Sequence, residues 1–96
     1  MTVPLRHYKE LCILFASIET KEEANMLLKD ILTPQEIESI AERWQLVQQL
    51  ASGKTQRQIS KDLNVSISKV TRGSRFLKYG TGGFKFFIEK LFSKPT

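Results

Sequence analysis

Thr55-Gln56-Arg57-Gln58-Ile59-Ser60-Lys61-Asp62-Leu63-Asn64-Val65-Ser66-Ile67-Ser68-Lys69-Val70-Thr71-Arg72-Gly73-Ser74-Arg75-Phe76-Leu77-Lys78 is the most informative stretch of this chain. It divides into two short helical patterns, about 55–63 and 66–78, each opening on a hydroxyl residue suited to a helix cap (Thr55, Ser66). Ile59, Leu63, Val65 and Val70 fall at the spacing that closes a helix–turn–helix core. Asn64 stands where the turn needs a left-handed residue, a conformation asparagine tolerates. The second helix opens on Ser66, Ile67 and Ser68 and continues through Lys69, Thr71, Arg72, Arg75 and Lys78. Short side chains at a helix N-terminus can approach base edges, while lysines and arginines reach phosphates. The expected arrangement has Ser66, Ile67, Ser68, Lys69 and Thr71 toward a major groove, with Gln56, Arg57 and Lys78 on the backbone. An ordinary αα-hairpin with a solvated charged face is the alternative. Gly73 departs from the generic pattern, which has an apolar residue there. Glycine inside a helix costs about 1 kcal/mol relative to alanine, so a close approach of backbone or ligand is expected at this point.

The flanking segments also read as helix. Leu5, Tyr8, Leu11, Cys12, Phe15 and Ile18 recur at three- and four-residue spacing over about 4–18. Thr20 with Glu23 forms a capping-box signal for a second helix carrying Ala24, Leu27, Leu28 and Ile31. Thr33-Pro34-Gln35-Glu36 starts a third, whose expected buried face is Ile37, Ile40, Ala41, Trp44, Val47, Leu50 and Ala51, ending at Gly53. After the break Tyr79-Gly80-Thr81-Gly82-Gly83, residues Phe84, Phe87, Ile88 and Leu91 mark a last helix. The prediction is an all-α chain of six helices.

Ninety-six residues leave room for one domain. The single Cys12 cannot form an internal disulfide, and the single His7 argues against a metal site or a histidine triad. No carboxylate pair or activated nucleophile is recognisable, so an enzyme is not expected, nor a resident cofactor. The longest apolar run, Leu11 to Ala16, is too short for a membrane span, and the first residues do not resemble a secretion signal. A cytoplasmic binding module with no membrane partner is therefore expected. Charge is divided unevenly: residues 1–53 carry five bases and eight acids, residues 54–96 ten bases and two acids. A basic half so placed favours a polyanionic partner.

Ile31-Leu32-Thr33-Pro34-Gln35-Glu36, Arg43, Gln56-Arg57, Ile67, Val70-Thr71-Arg72-Gly73-Ser74 and Leu77-Lys78 together closely resemble the tryptophan repressor family over about 31–92. The Tyr79 to Phe84 stretch is more similar to a broader group of small repressor relatives. The resemblance implies an intertwined homodimer, double-stranded operator DNA as partner, and L-tryptophan as corepressor. It assigns 1–53 to a dimerisation core, 54–79 to the helix–turn–helix, and 80–96 to the glycine break and a dimerisation helix. It implies that Arg43 and Arg72 sandwich the indole, with Gly73 at the same pocket and Leu32 and Thr33 contributed by the other subunit. Two positions depart from the family: Phe76 stands where the family has a serine, and Lys69 where it has threonine. The Gly53-Lys54-Thr55 turn is one residue shorter. The functions in view are a tryptophan-responsive repressor, a DNA-binding relative using another effector or none, and a helical module binding an acidic protein or RNA.

Overall fold

The computed structural model describes residues 2–92, which form six α-helices and no strand. They are α1 (Leu5–Ala16), α2 (Lys21–Ile31), α3 (Pro34–Ala51), α4 (Gln56–Leu63), α5 (Ile67–Tyr79) and α6 (Gly83–Phe92). Two compact units divide between Ile37 and Glu38.

In the N-terminal unit, α1 is shorter than its apolar spacing predicts. Pro4 precedes it, and Ser17 closes it, its hydroxyl donating to the Leu14 carbonyl at 2.6 Å. Thr20 Oγ1 accepts from the Glu23 amide at 3.1 Å, but the Glu23 carboxylate accepts from Glu19 N–H and not from Thr20. Thr33 and Glu36 complete a reciprocal box at the start of α3, at 2.8 and 3.1 Å. Neither α1 nor α2 buries a residue; Leu5 is 68% and Ile13 69% exposed.

The second unit has its core at Leu46, Val47, Ile59 and Val70, with Leu50, Leu63 and Val65 packed beside it. The core therefore sits where α3 meets the helix pair α4–α5. Ile59, Leu63, Val65 and Val70 take the inward places their spacing predicts. The expected face of α3 is only partly realised: Val47 is buried, yet Ile40 and Ala51 are exposed, and Leu46 enters the core instead. The reason lies opposite it. A Cβ on Gly73 would overlap the Leu46 side chain, so the glycine lets α5 close onto α3 and Leu46 fills the space. Trp44 stacks with Phe84 and Phe92 at centroid distances of 6.2 and 6.3 Å, which holds α6 against α3.

Candidate nucleic-acid interface and effector cleft

The helix pair is built from three local devices. Thr55 and Gln58 form a capping box at the start of α4. Asn64 ends α4 in the left-handed region at φ 55° and ψ 49°, and Val65 N–H returns to the Ser60 carbonyl at 3.1 Å. Ser66 then caps α5 by accepting from Lys69 N–H at 3.1 Å. The turn is thus hydrogen-bonded at both helix ends, which fixes the direction in which α5 leaves it.

Arg57, Ile67, Ser68, Thr71 and Lys78 are exposed along this pair, and Ile67 is 48% exposed despite its apolar side chain. Thr71 Oγ1 donates to Gln56 Oε1 at 2.8 Å. That bond joins α5 to the first residue of α4 and leaves the Gln56 amide N–H groups free to donate. Ser66 serves the turn through its cap. Lys69 is engaged elsewhere: its Nζ lies 2.7 Å from Glu42 Oε1 on α3. Lys54 pairs with Asp62 at 3.2 Å, so one of the two acids in the basic half is already neutralised.

Behind α5 lies a cleft of about 130 Å³ lined by Ser39, Glu42, Arg43, Leu46, Lys69, Arg72, Gly73 and Phe76. The fold thus brings Arg43, Arg72, Gly73 and Phe76 to one place. The Arg43 guanidinium lies over the Phe76 ring, 5.9 Å from its centroid. Leu32 and Thr33 lie at the α2–α3 junction in the N-terminal unit, where the Thr33 hydroxyl is the cap of α3. Ser39 and Glu42 are cleft residues that the sequence did not single out; their nearness to Arg43, within about one turn of α3, is the signal that marks them.

A second, larger recess of about 890 Å³ opens between α3, α5 and α6, and its walls include Trp44, Phe76, Tyr79, Phe84, Phe87 and Leu91. Its lining is almost wholly apolar, with Arg75 the charged exception. Among the described residues no group of His, Cys, Asp or Glu side chains could hold a metal, and no helix is long and apolar enough to cross a membrane.

The fold puts the chain in the class of small all-α proteins with a capped helix–turn–helix and, behind its second helix, a cleft lined by three cations and one acid. Comparison with known proteins narrows that class to one family. The model of the Trp repressor protein family matches residues 6–92. A Trp operon repressor homolog of Photobacterium profundum is 35% identical over 80 residues, covering 82% of this chain and 76% of the relative. Another, of Chlamydia caviae, is 40% identical over 85 residues, 88% of this chain and 81% of the relative. A third, of Vibrio cholerae, is 38% identical over 76 residues, 78% and 74% respectively. The chain belongs to the Trp repressor family, which is regulatory and not enzymatic.

Proposed function

We propose that the protein is a cytoplasmic, homodimeric repressor that binds double-stranded operator DNA in tryptophan-related genes, with L-tryptophan as corepressor. The observation that carries this reading is the Thr71–Gln56 hydrogen bond at 2.8 Å, which fixes α4 and α5 as one polar, basic surface with Arg57, Ser68 and Lys78 beside it. Ile67, Ser68, Thr71 and, once free of Glu42, Lys69 read the major groove, while Gln56, Arg57 and Lys78 hold phosphates. Ser66 sets the start of the reading helix. A large apolar recess and the exposed α1 residues support a second copy of the chain as the cover, with 1–53 and 80–96 as the dimer core and 54–79 as the head. In that dimer Leu32 and Thr33 of one subunit close the cleft formed by Arg43, Arg72 and Gly73 of the other.

A second reading, a DNA-binding relative with no tryptophan requirement, is favoured by Phe76. Its ring lies under Arg43, and the cleft of about 130 Å³ is below the roughly 300 Å³ typical of ligand pockets. Tryptophan then enters only if Phe76 swings aside. Selection from a library of palindromic duplexes, run with and without L-tryptophan, tests both readings. Enrichment that needs tryptophan supports the corepressor; enrichment without it supports Phe76 as a built-in substitute. No enrichment in either condition contradicts DNA recognition.

A further inference from the structure

We infer that Glu42 is a positioning residue for DNA binding: its carboxylate holds the Lys69 ammonium on the cleft side of α5, and Lys69 reaches nucleic acid only when that ion pair opens. The inference rests on the DNA-binding reading above and adds to it a residue that touches no DNA. Lys69 is the third residue of α5, between Ser68 and the Thr71 that bonds Gln56, so its backbone belongs to the reading surface. Its side chain points elsewhere. Nζ lies 2.7 Å from Glu42 Oε1, the shorter of the two ion pairs among the described residues.

The two partners are unequal. The Glu42 side chain is 31% exposed and lines the cleft with Arg43 and Arg72, whereas the Lys69 side chain is 54% exposed. The carboxylate is the fixed partner, and the lysine, on its flexible four-carbon stem, is the one free to leave. When Lys69 leaves, the carboxylate still shares its cleft with two guanidinium groups, so it does not become an isolated charge. An exposed ion pair is weak, so the negative potential of the duplex draws the ammonium away from Glu42 toward the groove. Glu42 thereby subtracts one cation from the basic surface of the free protein and returns it when a stronger anion arrives.

The test uses the full chain and a short mixed-sequence duplex, because the electrostatic part of binding does not depend on sequence. Glu42→Gln keeps the side-chain shape and removes the anion. It is expected to tighten duplex binding about threefold to fivefold at low salt, because Lys69 then reaches the duplex without first breaking an ion pair. In a Lys69→Met background, the same Glu42→Gln change is expected to do nothing. An E42Q protein with wild-type affinity overturns the inference. So does an E42Q gain that persists in the Lys69→Met background, since the carboxylate then acts by its field on the whole surface. A wild-type protein that binds no duplex even at low salt overturns the DNA-binding reading itself, and this inference with it.

Discussion

Gly73 and Leu46 meet at the one point where α5 touches α3 without room for a Cβ. Gly73 is buried in the middle of α5, and Leu46, 3% exposed, fills the space above it. The glycine is explained by helix–helix contact, whatever else enters the neighbouring cleft.

Gly73→Ala sets two effects against each other. Alanine gains about 1 kcal/mol of helix propensity, but the new methyl overlaps the Leu46 side chain in a packed core, and overpacking costs about 1–3 kcal/mol. The steric overlap outweighs the gain in propensity, and urea denaturation is expected to show a loss of about 1–2 kcal/mol with an unchanged slope. A G73A protein more stable than wild type would mean that Leu46 yields without strain.

Thr71→Val deletes the hydroxyl that donates to Gln56 and keeps the side-chain shape. One hydrogen bond contributes about 0.5–1.5 kcal/mol, so DNA affinity should fall about threefold to tenfold. Thr71→Ser should retain most of it. The two positions should also be coupled: Gln56→Ala costs less in the Thr71→Val background than alone. Additive losses, measured by fluorescence anisotropy, would show that the bond does not orient Gln56.

Phe76→Ser restores a hydroxyl where the aromatic ring lies under Arg43. An unpaired buried indole N–H costs about 1–3 kcal/mol, so calorimetry should find L-tryptophan bound roughly ten- to hundredfold tighter by the variant than by wild type. Arg72→Ala should abolish the heat. Identical tryptophan affinity in wild type and Phe76→Ser would remove Phe76 from any role in the cleft.

The recess beside Trp44 and the exposed Leu5, Ile13, Phe86 and Leu91 side chains leave more apolar surface than a small monomer commonly presents. Sedimentation equilibrium at micromolar concentration is expected to give twice the 11.1 kDa chain mass. A folded, monomeric species would contradict the dimer.

Much of this was legible in the residues. Thr55, Asn64 and Ser66 act locally, each through a bond to its own neighbours, so their roles follow from order along the chain. The four inward apolar residues of the hairpin followed from spacing for the same reason. The burial of α3 did not, because periodicity ranks a helix's faces without saying which one a partner helix approaches. Leu46 is buried through Gly73, a residue twenty-seven positions away, and Ile40 stays exposed. The sequence marks Glu42 only as a neighbour of Arg43; its pairing with Lys69 was not legible, because the fold carries that lysine to it from twenty-seven positions away.

The central claim is sequence-specific recognition of duplex DNA by the α4–α5 surface, and a competition titration tests it most directly. The selected palindromic duplex is measured against a scrambled duplex of the same length and composition, at near-physiological salt, with L-tryptophan present. Specific binding should exceed non-specific binding by about a thousandfold or more. Equal affinity for the two duplexes would contradict the account, leaving a basic surface that binds polyanions without reading them.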